Sequence, residues 1–163
     1  MKLDKTNCKI LNLLQEDCRM SYTEISKKVG LSVDSVKKRI DSMLKQGFFF
    51  PQIQIRPRRI GFQYVVDIKI KLHNYNDKEL KQFIEYLSNH HRVAELFSIS
   101  GQWDFTVVIL AKDHEDLAAV TEGIRKTFSK MINDWSESIT TVAYKFEKYD
   151  MLKILEDLKN EKA

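Results

Sequence analysis

Apolar residues in the first fifty positions recur at helical spacing, in runs separated by turn-forming residues. The first run predicts a helix over residues 5–15, with Asp4 as its N-cap. Its apolar positions are Ile10, Leu11, Leu13 and Leu14. One face of this helix is therefore expected to be buried, and to support the helices that follow.

The segment from Ser21 to Gly47 predicts two short helices joined by a tight turn. Ser21 and Glu24 fit a capping box at the start of the first helix, and Gly30 favours its end. Ser32 is a good N-cap for the second helix, whose apolar residues recur at i, i+4, i+7 and i+8. These residues are Val36, Ile40, Met43 and Leu44. The pattern is typical of a helix-turn-helix, whose second helix lies in the major groove of DNA.

Beyond residue 62 the pattern changes to strands and helices in the order βαββαβ. The predicted strands cover residues 64–72, 93–100, 103–111 and 135–146, and the second and third meet at a tight hairpin at Gly101 and Gln102. One helix begins at Asn76 or Asp77, and the other follows Asp113. This order predicts a ferredoxin-like module with an antiparallel sheet. One sheet face is left open, and we expect self-association through it.

These patterns divide the chain into an α+β protein of two parts. We expect a helix-turn-helix domain, winged-helix-like, over residues 1–50 and an extended hinge over residues 51–62. The ferredoxin-like domain is expected over residues 63–148. A helical tail over residues 149–163 has apolar positions at helical spacing, and the sequence indicates no role for it.

Charge is distributed unevenly along the chain. Residues 1–50 hold ten basic and six acidic side chains, and the hinge adds Arg56, Arg58 and Arg59 without an acid. The remaining hundred residues carry a small excess of acid, so the basic first third is the part expected to meet a polyanion. Cys8 and Cys18 lie ten residues apart without a CxxC or a His cluster, which predicts no metal site and a reduced, cytoplasmic setting. No apolar run reaches membrane-spanning length.

Three stretches of the chain together resemble the Lrp/AsnC, or feast/famine, family of transcriptional regulators. The first, similar to that family's opening helix and helix-turn-helix, is LDKTNCKILNLLQEDCRMSYTEISKKVGLSVDSVKKRIDSMLKQG. The second stretch, RRIGFQYVVDIKIKL, resembles the family's hinge and first strand. The third, VAELFSISGQWDFTVVILAKDHEDL, resembles the family's second and third strands and includes its G-x-x-D turn at Gly101 to Asp104. The resemblance implies a sequence-specific DNA-binding regulator that forms dimers, often joined into an octamer, and answers to an amino-acid effector. Phe48-Phe49-Phe50-Pro51 and the stretch from Met131 to Trp135 depart from the family pattern.

Candidate DNA contacts lie on the polar face of the second helix of the pair and around it. Lys can donate to guanine, Asp can accept from cytosine and Ser is permissive, so base readout is predicted for a first group. That group is Asp34, Ser35, Lys37 and Lys38. Phosphate contacts, which supply affinity without sequence choice, are predicted for Lys27, Lys28, Arg39 and Lys45. The hinge arginines either add phosphate contacts or face solvent.

The resemblance also implies an effector site between dimers. It would combine a glycine turn with the last strand of a neighbouring chain. Its candidate residues are Gly101, Gln102, Trp103, Asp104, Ser136, Ser138, Thr140 and Thr141. Backbone N–H groups at a glycine turn suit a carboxylate, and Asp104 suits an ammonium group. The alternative is a plain hairpin whose Asp caps the turn.

Two other functions stay open on the sequence. Enzymes that decarboxylate sirohaem resemble the same family, but the chain has Glu95-Leu96-Phe97 where their second strand carries His. His73 falls in a loop and His90-His91 at a helix end, so no catalytic residue is predicted and no cofactor. The third alternative is a protein that compacts DNA without sequence preference.

Overall fold

The computed structural model describes residues 3–160, which form two compact units. The first, the helical unit, combines the residues up to 54 with those from 144 onward, and the second, the sheet unit, comprises residues 55–143. The helices are α1 Lys5–Glu16, α2 Tyr22–Val29, α3 Val33–Lys45, α4 Asp77–Asn89, α5 His114–Thr127 and α6 Met151–Asn160, with a short 3-10 turn at Pro57–Ile60. The strands are β1 Tyr64–Leu72, β2 Val93–Ser98, β3 Phe105–Ala111 and β4 Ile132–Ile139.

Local signals define the ends of α2 and α3. Both bonds of the capping box at Ser21 and Glu24 are present, and Gly30 ends α2 in the left-handed conformation, with φ of 73°. Ser32 then caps α3 by accepting a hydrogen bond from the backbone N–H of Ser35. Because glycine adopts positive φ without strain, the chain turns sharply between the two helices. The predicted helix-turn-helix is confirmed.

The apolar faces of α1, α2 and α3 meet in one core. Its buried members are Ile10, Leu11, Ile25, Val36, Ile40 and Met43. Partly buried residues such as Phe49 and Met151 pack against this core. Each helix therefore presents its opposite, polar face to solvent.

Helix α6 belongs to the helical unit and packs against α1. Asn12 of α1 accepts a hydrogen bond from the backbone N–H of Met151 at 2.9 Å. Gln15 pairs with both backbone groups of Tyr149, donating to its carbonyl at 3.0 Å and accepting from its N–H at 2.8 Å. Leu155 is buried. The predicted tail helix thus forms, and it adds a fourth helix to the unit that carries the helix-turn-helix.

The four strands form one antiparallel sheet in the order β2-β3-β1-β4. Alternate residues of β1 and β3 point to the same face and are buried beneath α4 and α5. The core on this face includes Val66, Ile68, Ile70, Phe83, Leu87, Val107, Ile109 and Ile124. The other face, which we call the open face, is not covered by α4 or α5. The α+β class and the ferredoxin-like order are confirmed.

Two details of the prediction are wrong. The last strand ends at Ile139 and not at Phe146, because its partner β1 begins at Tyr64 and the last ladder bond joins the N–H of Thr140 to Val65. The connection between β2 and β3 is six residues long, not a two-residue hairpin.

None of the helices in the described range is long and apolar enough to cross a membrane.

We predict that α6 stabilises the helical unit through Leu155. Leu155→Ala should lower the free energy of unfolding by about 2–3 kcal/mol, because it removes a buried side chain and leaves a cavity. Leu158 on the same helix is 50% exposed, so Leu158→Ala is the matched control and should cost less than about 0.5 kcal/mol. Urea unfolding followed by far-ultraviolet circular dichroism measures both variants. Equal effects of the two substitutions would show that α6 does not pack on α1 in solution.

Candidate nucleic-acid interface and effector site

The polar face of α3 is presented to solvent. Asp34, Lys37 and Lys38 are exposed, as is Asp41 one turn further on. Ser35 is half-buried and accepts a hydrogen bond from the hydroxyl of Ser32 at 2.8 Å. Of the residues predicted to read bases, Asp34, Lys37 and Lys38 therefore project into solvent. Ser35 takes part in the cap of α3.

Three of the predicted phosphate-binding residues lie near helix ends. Lys27 and Lys28 occupy the last turn of α2, and Lys45 occupies the last turn of α3. All three are exposed, and cations in a last turn are favoured by the helix dipole. They can meet phosphate oxygens without breaking contacts inside the protein.

Arg39 differs from these lysines, because its guanidinium has partners in the helical unit. Its Nη1 donates to Asp4 Oδ2 at 2.6 Å and to Asn7 Oδ1 at 2.8 Å. Asp4 also caps α1 through Oδ1, which accepts from the Asn7 N–H at 2.7 Å. Burial alone would raise the pKa of Asp4, but the hydrogen bonds from Asn7 and Arg39 outweigh it and hold that pKa below its usual value. The sequence pattern gave no sign of the buried Asn7.

The loop between β2 and β3, here called the effector loop, comprises residues 99–104. Gly101 has φ of 134°, which L side chains rarely adopt, so glycine suits this turn. Asp104 anchors the loop to β1: its carboxylate accepts from Lys71 Nζ at 2.8 Å and from the Leu72 N–H at 2.7 Å. Burial acts to raise the pKa of Asp104, but these two hydrogen bonds outweigh it and hold that pKa below its usual value. The carboxylate is therefore ionised at neutral pH.

The residues predicted from the last strand lie on β4 and just beyond its end. Ser138 stands opposite Asp67 and Ser136 opposite Lys69 on the open face, and both serines are exposed. Thr140 donates its hydroxyl to Asp67 at 3.0 Å. Its carbonyl accepts from Arg58, so this hinge arginine is tied to the end of β4. Thr141 follows, exposed, beyond the strand.

Within one chain the effector loop is separated from Thr140, which follows the end of β4. The effector loop meets β1 at Ile70 to Leu72, whereas Thr140 meets it at Val65 and Asp67. A strand rises about 3.3 Å per residue, so the loop and Thr140 lie roughly 20 Å apart along β1. A single chain therefore does not bring the loop and Thr140 into one pocket, whereas Ser136, opposite Lys69, lies nearer the loop.

Of the histidines considered for catalysis, His73 lies apart from the adjacent pair His90 and His91. His73 follows the end of β1, and its backbone N–H bonds to Met131. His90 and His91 stack at the end of α4 with ring centroids 5.3 Å apart. The pKa of His90 is lowered by burial and by the neighbouring His91 and Arg92. At the position on β2 where the sirohaem-decarboxylating enzymes carry His, this chain has Glu95, Leu96 and Phe97.

Two family models match the chain over these same units. Residues 3–44 match the AsnC-type helix-turn-helix domain, and residues 65–145 match the Lrp/AsnC ligand binding domain. With the capped helix-turn-helix and the ferredoxin-like sheet, these matches define the class: a DNA-binding transcriptional regulator with a ligand-binding domain. The chain belongs to the Lrp/AsnC family.

Known members of the family are similar in sequence and in structure. The chain is 32% identical over 119 residues to the HTH-type transcriptional regulator LrpA of Pyrococcus horikoshii, covering 72% of this chain and 82% of that one. A crystal structure of an AsnC family transcriptional regulator from Agrobacterium tumefaciens is 26% identical, with a TM-score of 0.79 over 88% of this chain and 94% of the other. A Neisseria meningitidis transcriptional regulator in complex with L-Met shares the fold at 20% identity, with a TM-score of 0.80 over 89% of this chain and 94% of the other. The relatives named here are transcriptional regulators.

Proposed function

We propose that this regulator reads specific DNA sequences through α3 and acts in the cytoplasm as a homodimer modulated by an amino acid. The observation that carries the proposal is the exposed polar face of α3 on a capped, well-packed helical unit. A helix held in this way can enter the major groove as a rigid body. Lys37, Lys38 and Asp34 project from the face that would meet base edges, with Ser35 beside them.

Phosphate contacts would orient this helix on the duplex. Lys27 and Lys28 of α2 and Lys45 of α3 are exposed cations at the ends of their helices. Such contacts release counterions and make binding depend strongly on salt. They would supply affinity, while the α3 side chains would supply sequence choice.

We predict that Lys37→Ala and Lys38→Ala each weaken binding to a duplex selected from a random library by about 5- to 100-fold, because each removes a base contact. Lys45→Ala should weaken binding to all duplexes alike and reduce the slope of log K against log salt by about 1, because it removes a phosphate contact. Fluorescence anisotropy over a salt series measures these effects. Lys9→Ala, an exposed lysine of α1, is the control.

The same experiment tests the proposal itself. Affinity that did not fall with rising salt would refute binding to a polyanion. Footprinting distinguishes regulation from general compaction: discrete protected sites are expected, and uniform protection of long DNA would favour the compacting protein.

Dimer formation would cover the open face of the sheet. Val65 and Leu110 are paired across β1 and β3 on this face, and Phe97 of β2 on the same face is 50% exposed. The charged side chains of the face already have partners: Lys69 donates to Thr106 at 2.6 Å, Lys71 to Asp104, and Asp67 accepts from Thr140. Because paired polar groups cost less to bury than free ones, a second copy can cover this face.

We predict that Leu110→Glu converts the dimer to a monomer, because it would bury an unpaired carboxylate at the apolar part of the contact. Sedimentation equilibrium measures the change in mass. Ser88→Glu, at an exposed position of α4, adds the same charge on the helical side and should leave the dimer intact. A monomeric wild-type protein at micromolar concentration would refute the dimer, and a mass of eight chains would support the octamer.

The effector site would then be completed between chains. The effector loop and the end of β4 are far apart in one chain, so a ligand that touches both must be held by two copies. The loop would offer backbone N–H groups from Gly101, Gln102 and Trp103 to a carboxylate. Ser136, Ser138, Thr140 and Thr141 would add hydroxyl groups from the neighbouring chain. Asp104 would meet the ligand's ammonium group only beside Lys71, its present partner.

We predict that at least one of the proteinogenic L-amino acids binds and changes affinity for DNA, and L-methionine is the first to be tried, given the Neisseria complex. Isothermal titration calorimetry of the full panel measures binding. Ser138→Ala should weaken it about fivefold, which corresponds to one lost hydrogen bond of about 1 kcal/mol. Ser88→Ala, exposed on α4, should have no effect. Absence of binding by every amino acid would refute the effector proposal.

A further inference from the structure

Arg39 lies at the junction of α1 and α3, on the side of α3 away from its exposed polar face. Lys38, one residue earlier, is rotated by about 100° around the helix axis. The Arg39 side chain is 32% exposed, whereas the side chains of Lys37 and Lys38 lie in solvent. Its position is therefore at the margin of the core, between the buried residues Val36 and Ile40 and the solvent.

The guanidinium of Arg39 joins two acceptors that belong to the first turn of α1. Asp4 accepts at 2.6 Å and Asn7 at 2.8 Å, both from Nη1. Asn7 is 0% exposed, so loss of Arg39 would remove a partner from a fully buried oxygen. Asp4 uses its other oxygen to cap α1. The contact therefore ties the beginning of the supporting helix to the middle of the recognition helix.

Apolar packing alone allows helices to slide and rotate by small amounts, because it has no direction. Two hydrogen bonds from a planar guanidinium on one helix to the capped end of another do have direction. DNA readout needs side chains held within a fraction of an ångström of their target positions.

We propose that Arg39 is a positioning residue: through Asp4 and Asn7 it sets the orientation of α3, and it makes no contact with phosphate. This inference rests on the proposed DNA readout by α3. It replaces the phosphate contact predicted for Arg39 from the sequence.

The test compares variants for which positioning and phosphate contact predict opposite results. Asp4→Asn keeps the N-cap, because Asn caps helices about as well as Asp, but it removes the ion pair. A phosphate contact would be strengthened, since Arg39 would be released and a nearby negative charge lost. Positioning predicts instead that affinity for the selected duplex falls about fivefold, with little change for a random-sequence duplex. Glu16→Gln, an exposed carboxylate of α1, is the charge-matched control.

Arg39→Lys provides the second comparison. Lysine keeps the positive charge, so a simple phosphate contact would survive, but its flexible ammonium lacks the planar guanidinium that fixes the directions of the two Nη1 hydrogen bonds to Asp4 and Asn7. We expect the ratio of affinities for selected and random duplexes to fall about tenfold in Arg39→Ala and at least about threefold in Arg39→Lys. Wild-type ratios in Asp4→Asn and Arg39→Lys would overturn the proposal. Circular dichroism and urea unfolding establish that each variant is folded.

Salt dependence separates failure of this inference from failure of the proposed function. On a random-sequence duplex, Arg39→Ala should leave the slope of log K against log salt unchanged. A slope reduced by about 1 would identify a phosphate contact and overturn the inference. If the wild-type protein selects no sequence at all, the proposed readout fails, and the slope still decides the role of Arg39.

Discussion

The packing of α3 against α1 and α2 is the contact on which the DNA-binding function depends. Val36, Ile40 and Met43 are buried on one side of α3, and this leaves the opposite side as a continuous polar surface. Burial of a side chain of this size contributes about 1.5–3 kcal/mol, so rotating α3 about its axis would cost several such contacts. The apolar stripe therefore decides which residues of α3 face outward.

The polar contacts around this core have a different role from the apolar ones. Asp4 and Asn7 engage Arg39, while Asn12 and Gln15 of the same helix α1 engage the segment that begins α6. Exposed ion pairs contribute little to stability, and the pair of Arg39 with Asp4 is partly exposed. These hydrogen bonds have fixed directions, and they join both α3 and the tail segment to α1.

The chain passes from the helical unit to the sheet unit near residue 54 and returns near residue 144. Within the sheet unit these two connections leave from neighbouring positions, because Arg58 donates to the carbonyl of Thr140 at 2.5 Å and the Thr140 N–H bonds to Val65. Thr140 is also one of the residues proposed to meet the effector. The two connections therefore meet at the end of β4 within the sheet unit, and the tail that follows the second connection packs on α1.

The sequence by itself determined the helices, the strand order and the class of protein. Those features depend on short-range causes: apolar spacing, the capping residues Ser21 and Ser32, and the left-handed glycine at position 30. The exposure of Lys37 and Lys38 on α3 was predicted for the same reason, since it depends only on their place on the helix. Tertiary structure alone decided where β4 ends, because a strand lasts only as long as its partner. It also decided the partners of Arg39, Asp104 and Thr140, which lie at least thirty residues away along the chain and leave no local pattern.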